Sequence, residues 1–330
     1  MKQEQLLEAI GQIDDELLAE PVRRKPKLLR RTLLAAALMA ALALTASALG
    51  STLFKSGSNT MDNIITGLGR FAYDEGYIYY GSVGTIYKLE LETGSVEKIP
   101  LSDSQADPKY LTVAQNGLGY VTGFDRFEII SPEGSTQQVL IEEDTAARLF
   151  VDGNMLYTEN GVNLQRINTE TGEKKVLATG THGYYVDNSY IYALTEGELF
   201  LRSGKDSIAF DGIPLSFHPA GILAAGEDLY FSVYQGDGHY QVIHYRDGIE
   251  TRLPIFAYFM QMLDGKLLYL DCIEKNVLKS YHLTTGETEV IAENVFEFSV
   301  LENRYLCIDF FNDSCLILDF QTGTEFTFGK

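Results

Sequence analysis

The chain has 330 residues, with 26 Lys/Arg against 46 Asp/Glu, a net charge of −20, three cysteines and no tryptophan. The charge is uneven: residues 61–330 carry 18 basic and 40 acidic side chains, a net of −22, while residues 21–31 carry six basic ones and no acid. An acidic surface of that size repels phosphate backbones, which argues against nucleic acid as a partner, and three cysteines are too few for a disulfide-built scaffold.

Residues 4–20, EQLLEAIGQIDDELLAE, have the spacing of a short amphipathic helix. Leu6, Leu7, Ile10, Ile13, Leu17 and Leu18 fall close to one face, acids lie on the other, and Pro21 ends it. A helix of this length is marginal alone and favours a surface to dock on. The acidic face disfavours an anionic lipid surface, so the sharper expectation is a cytoplasmic protein partner, against a solvated leader. The basic segment completes region 1–31.

Thr32 to Phe54 is uncharged for 23 residues, long enough to cross a bilayer as a helix. Six basic residues precede it and only Lys55 follows closely, so residues 1–31 are expected in the cytoplasm and the rest outside. The alternative is a cleaved signal peptide, with Ala46-Ser47-Ala48 as its small-residue site. Residues 55–65 read as a linker to an external domain at 66–330.

That domain repeats. Tyr79, Tyr120, Tyr157, Tyr192, Tyr230 and Tyr269, with Cys307 in the seventh place, recur about every 38 residues. Five residues before each lie Asp74, Gln115, Asp152, Asp187, Ala225, Asp264 and Glu302. A second column runs in step: Gly94, Gly134, Gly172, Gly204, Gly248, Gly286 and Gly323, mostly in Thr-Gly turns. The third repeat, residues 148–177, parses into four short strands joined by Asp152-Gly153-Asn154, Asn160-Gly161 and Glu170-Thr171-Gly172. Asn-Gly between apolar runs is a strong hairpin signal, because both central residues must accept positive φ. Seven four-stranded antiparallel units in a ring make an all-β, seven-bladed β-propeller, with the tyrosines packed between neighbouring blades; the fourth unit is compressed and the fifth stretched, which leaves six or eight blades as alternatives. The seventh unit ends with its own outer strand, so closure relies on face packing unless Asn63–Thr66 adds to the last blade.

Chemistry is harder to find. The acids five residues before the tyrosines precede turn residues and read as turn caps. His182, His218, His239, His244 and His282 lack the spacing of a metal motif, and no cofactor or metal is expected. His182 and His218 open units four and five and would reach one end of the ring. Short loops there favour a shallow recognition face rimmed by Tyr110, Arg126, Arg148, Tyr184, Tyr258 and Glu274. The longer loops are 101–109, 236–239 and 271–276. Cys307 and Cys315 flank the turn at Asn312-Asp313, where a two-residue turn would pair Phe310 with Cys315; both are expected as free thiols.

The segments DGNMLY (152–157), DGKLLY (264–269), ETGEKKVL (170–177) and TTGETEVI (284–291) resemble the propeller domains, of uncharacterised function, of Gram-positive surface proteins. The layout of helix, one span and external domain also resembles anti-sigma-type membrane regulators. The resemblance implies a membrane-anchored external propeller that binds an unknown ligand or protein without catalysis. The alternatives are a regulator whose helix at 4–20 holds a cytoplasmic factor, and a polysaccharide-active enzyme that would use acids such as Glu196 and Glu274.

Overall fold

The computed structural model describes residues 69–330 apart from 115–116, 123–125, 133, 141–148, 160–161, 187–189, 196–198, 205–209, 313 and 330. The expected helix at 4–20, the span at 32–54, the linker at 55–65 and the alternative closing strand at 63–66 lie outside the described residues. Among the described residues no helix is long and apolar enough to cross a membrane.

What is described is all strand, and every strand pair is antiparallel. The first unit is β1 (Phe71–Asp74), β2 (Tyr77–Ser82), β3 (Thr85–Glu90) and β4 (Val96–Pro100), hydrogen-bonded in that order. The second is β5 (Lys109–Ala114), β6 (Gly117–Thr122), β7 (Arg126–Ile130) and β8 (Thr136–Leu140). The third is β9 (Leu149–Asp152), β10 (Met155–Glu159), β11 (Asn163–Asn168) and β12 (Lys174–Thr179); the fourth is β13 (Thr181–Val186), β14 (Tyr190–Thr195), β15 (Leu199–Gly204) and β16 (Asp211–Pro214).

The fifth and sixth units share a strand. β17 (Gly221–Ala225), β18 (Asp228–Gly236) and β19 (His239–Arg246) lead into the 15-residue β20 (Ile249–Leu263). β21 (Lys266–Asp271), β22 (Leu278–His282) and β23 (Thr288–Ala292) continue the same seven-stranded sheet. The first half of β20 pairs with β19 and the second half with β21. A bulge around Pro254 interrupts the pairing with β19, and proline, which has no N–H to donate, suits a bulge. The seventh unit is β24 (Val295–Leu301), β25 (Tyr305–Phe310), β26 (Ser314–Asp319) and β27 (Thr324–Gly329).

β1 meets β5 and β5 meets β9; β13 meets β10 and β11 of the third unit and then β17; β17 meets β20, β20 meets β24, and β24 meets β1, so the units close a ring. Its core lies between the units, where the tyrosine column falls as expected. Tyr120, Tyr157, Tyr192, Tyr230 and Tyr269 are buried, and so is Cys307. Tyr79 is only partly buried, with its hydroxyl pushed up to about 12 by burial and then by Asp74, Tyr77 and Glu97. Burial likewise pushes up the hydroxyls of Tyr120, Tyr230 and Tyr269, as expected for rings packed between units. In the turn column Gly94, Gly134, Gly172, Gly248, Gly286 and Gly323 adopt positive φ, which glycine accepts without strain, whereas Gly204 ends β15 without it.

Cys272, Cys307 and Cys315 are free, and the last two are buried. Cys315 pairs with Asp309 rather than with Phe310, because the connection between β25 and β26 is longer than a two-residue turn.

Candidate functional site

An antiparallel meander sorts its loops by end. Turns from first to second strand and from third to fourth lie at one end, called lower here. Connections between units and turns from second to third strand lie at the upper end. The backbone bonds agree: at the lower end Leu91 N–H donates to Gly76 O and Thr169 N–H to Asn154 O. At the upper end Leu101 N–H donates to Gly84 O, Thr181 N–H to Val162 O and Val295 N–H to Asn276 O.

The inner strands carry bulges at their upper ends in four units. Residues 110–111 oppose a single residue of β6, His182 interrupts β13, Tyr258 and Phe259 oppose one residue of β21, and Phe296 interrupts β24. A bulge re-aims side chains and raises local twist, and bulges are over-represented beside functional sites. Three of these positions, Tyr110, His182 and Tyr258, are among the residues expected from sequence.

They are used differently. Tyr110 has φ of +52° and is buried, so it braces the second unit and presents no rim. Tyr184 is buried as well, and its hydroxyl donates to Tyr157 O at 2.8 Å, tying the fourth unit to the third. The inner strands are covered on both faces, since Tyr184 and Tyr185 are buried alike and so are Tyr110 and Leu111. His182 is partly buried; its Nε2 lies 2.8 Å from Pro219 O, and its Nδ1 is buried with no hydrogen-bond partner. His218 and Arg126 are exposed. Arg148 and Glu196 lie outside the described residues.

Tyr258 and Glu274 do come near a common feature, the upper end of the fifth and sixth units. The hairpin of β18 and β19 extends beyond its neighbours and places Tyr234 opposite Tyr240. The ring centroids of Tyr234 and Tyr240 are 5.2 Å apart, those of Tyr240 and Tyr258 4.8 Å, and those of Tyr258 and Phe259 4.8 Å. Rings this close pack on one another and form a wall with no slot between them. Tyr234 is 56 % exposed and Ile273, in the next loop, 55 %, so the wall has an open face.

Beneath Ile273, Asp271 caps the loop through the amides of Ile273 and Glu274 at 2.7 and 2.9 Å. Lys279 Nζ bonds Asp271 at 2.7 Å and Glu274 at 2.9 Å. Burial pushes the Asp271 carboxyl up, but the Lys279 bond and the two amides outweigh it and hold it below the usual range. Burial pushes the Cys272 thiol up, which leaves it protonated and unreactive.

Phe296 and Phe311 form a second exposed pair at the seventh unit, edge to face with centroids 5.2 Å apart. The Arg70 guanidinium lies 5.7 Å from the Phe296 ring centroid. Sequence reading missed Phe296, Phe311, Tyr234 and Tyr240. The even-numbered positions in FSVYQGDGHY were the available signal, since Tyr234 and Tyr240 flank the Gly-Asp-Gly turn symmetrically.

The inner strands also line a space of about 500 Å³ that is partly open to solvent, bounded by β1, β5, β9 and β24. Its polar side chains are those of Tyr73, Thr112 and Ser299. Among the described residues no three His, Cys, Asp or Glu side chains converge as a metal site would require.

No protein-family model matches the chain, and no curated protein matches it in sequence. Solved structures do match in fold. The chain is a β-propeller. It is similar to PorZ, an essential bacterial surface component of the type-IX secretion system of Porphyromonas gingivalis, with TM-score 0.57 and 15 % identity over 83 % of this chain. It spans only 39 % of PorZ. It is similar to a chain of the mitotic checkpoint complex, with TM-score 0.56 and 10 % identity over 85 % of this chain and 95 % of the other. It is also similar to the N-terminal domain of Nup159, with TM-score 0.54 and 13 % identity over 83 % of this chain and 93 % of the other.

Proposed function

We propose that the chain is a single-pass membrane protein whose seven-bladed β-propeller lies outside the cytoplasm and binds a protein or ligand through its upper end, without catalysis. The observation that carries the binding reading is a polarity between the two ends. Nine large hydrophobic side chains are exposed among the described residues, and six sit at the upper end: Val83, Val162, Tyr234, Ile273, Phe296 and Phe311. Val176 and Val290 lie on outer strands, and Ile249 alone is at the lower end. Exposed apolar side chains gathered on one face mark an interaction surface, whereas scattered ones need no explanation. Aromatic residues are also the commonest anchors of protein interfaces.

The membrane assignment rests on the uncharged stretch 32–54 behind six basic residues. PorZ, a bacterial surface component of similar fold, occupies the setting proposed here. One observation favours a second reading: the amphipathic pattern at 4–20 suits capture of a cytoplasmic factor, as in an anti-sigma-like regulator. The two readings share the external propeller and differ in what the N-terminal segment does.

The test is photo-crosslinking in intact cells with a reactive amino acid at Tyr234, Phe311 or Ile249. Adducts at Tyr234 and Phe311 but not at Ile249 are expected. Adducts at all three positions alike, or only at Ile249, would overturn the assignment of the upper end. Deleting residues 1–20 should leave these adducts intact, while changing transcription only under the regulator reading.

A further inference from the structure

Neutral contacts join most neighbouring units. Gln137 Nε2 donates to Thr169 O, Tyr185 OH to Ala224 O, and the amide of Val300 to Gln261 Oε1. The fifth and sixth units share β20. Among the described residues, every ion pair between units involves Arg70, at the junction where the last unit meets the first.

Glu297, on β24, reaches across that junction. Its Oε1 accepts the Gly69 N–H at 2.5 Å and the Arg70 N–H at 3.2 Å, so a side chain of the last unit holds the backbone that leads into the first. Its Oε2 is buried with no hydrogen-bond partner. Asp309 stands directly opposite it in the β24–β25 register and is 3 % exposed. Asp309 accepts a bond from Tyr80 OH at 3.1 Å and faces the buried Cys315 thiol across β26.

Arg70 does not neutralise the pair fully. Its guanidinium forks onto Asp107 at 2.9 and 3.1 Å, and its Nε, 3.9 Å from Asp309, is left without a hydrogen bond. Lys109 reaches Asp107 alone, at 3.8 Å. Among the described residues, Arg70 and Lys109 both make their closest ion pair with Asp107, the carboxylate nearest solvent.

We propose that Glu297 is a proton-operated latch: its neutral form holds the first unit against the last, and its ionisation loosens that seam. Like charges directly opposite on paired strands repel, and an ionised carboxylate with one oxygen buried and unpaired is costly. Burial pushes the Glu297 carboxyl up to about 7; Asp309 adds to this, while the Arg70 and Gly69 amides and the Arg70 charge oppose it. A carboxyl raised in the closed ring stabilises that ring at low pH, and the contribution is lost as pH rises through the closed-state value. The latch lies under Phe296, so opening the seam displaces part of the upper face.

The experiment is hydrogen exchange of the full chain in native membranes, corrected for intrinsic rates. Between pH 5.5 and 7.5, opening at the amides of β1 and β24 should rise on the order of 20-fold, while β13 and β14 stay unchanged. Glu297→Gln should abolish the rise. If that variant does not fold, Asp309→Asn, which removes the facing charge, should shrink it. A seam indifferent to pH, or a rise that survives in either variant undiminished, would overturn the proposal.

Discussion

The two ends of the ring are built by different rules. At the lower end the first, third, sixth and seventh units close the turn from third to fourth strand with the same bond, from the amide of Gly94, Gly172, Gly286 or Gly323 to the carbonyl four residues earlier. Asn168 Oδ1 accepts the amides of Glu170 and Thr171, His282 Nδ1 those of Thr284 and Thr285, and Asp319 Oδ1 those of Gln321 and Thr322. A glycine at positive φ follows each. At the upper end the described residues vary: the inner strands of four units bulge, and the loops carry Tyr234, Ile273, Phe296 or Phe311. Repetition marks the end whose task is folding. Divergence within a repeat marks the end free to acquire a specific surface.

That contrast can be broken first through what both ends share. Phe231 is fully buried and meets Phe200 and Phe217, with ring centroids 5.4 Å away in each case. Phe231→Ala should cost about 3–5 kcal/mol and lower thermal stability at both ends together, checked by denaturant unfolding.

A smaller effect isolates the lower end. Asp319 also bonds Arg304 at 3.0 and 2.7 Å and the Thr322 hydroxyl at 2.7 Å. Asp319→Ala should cost roughly 1.5–3 kcal/mol, because it leaves a charged partner unpaired, while binding at the upper end persists. Its pH signature runs opposite to that of Glu297. Burial raises the Asp319 carboxyl, but Arg304, Thr322 and the Gln321 amide outweigh it and depress it. Its contribution is therefore present above the ordinary carboxylate range and lost as pH falls through the depressed value. Wild type should lose stability below pH 4 through Asp319, and the Ala variant should lose less, which an acid titration of unfolding would check.

The smallest expected change in stability sharpens the contrast most. Tyr234→Ser with Phe311→Ser should shift stability by only about 0.5 kcal/mol or less at each site, since both side chains are exposed. The pair should nevertheless abolish binding measured by crosslinking. Ile249→Ser, matched in exposure at the other end, should change neither.

The repeat was legible in sequence because it is local. A tyrosine and a glycine at fixed offsets in a 38-residue period encode a buried ring and a positive φ without reference to anything distant. The shared strand β20 was not legible, since it lacks a turn, and the fifth repeat only looked stretched. The bulges at His182, Tyr258 and Phe296 were invisible, because a bulge is defined by the partner strand and leaves no composition mark. Glu297 reads as one more surface acid in VFEFSVL, and its partners Gly69 and Arg70 are more than 220 residues away. The upper-face residues fared in between. Tyr258 and Glu274 lie at the upper end of the fifth and sixth units, Tyr110 and Tyr184 are buried because inner strands are covered on both faces, and Phe311 is hidden in sequence beside the turn it borders.

The most direct test of a ring with one binding end is hydrogen exchange of the full chain in native membranes, compared with the same chain purified in detergent. The account predicts protection, lost on purification, in the upper loops at 232–240, 256–260, 271–276 and 310–312, with none at the lower turns such as 74–76 and 169–172. Equal protection at both ends, or protection confined to the lower turns, would contradict it.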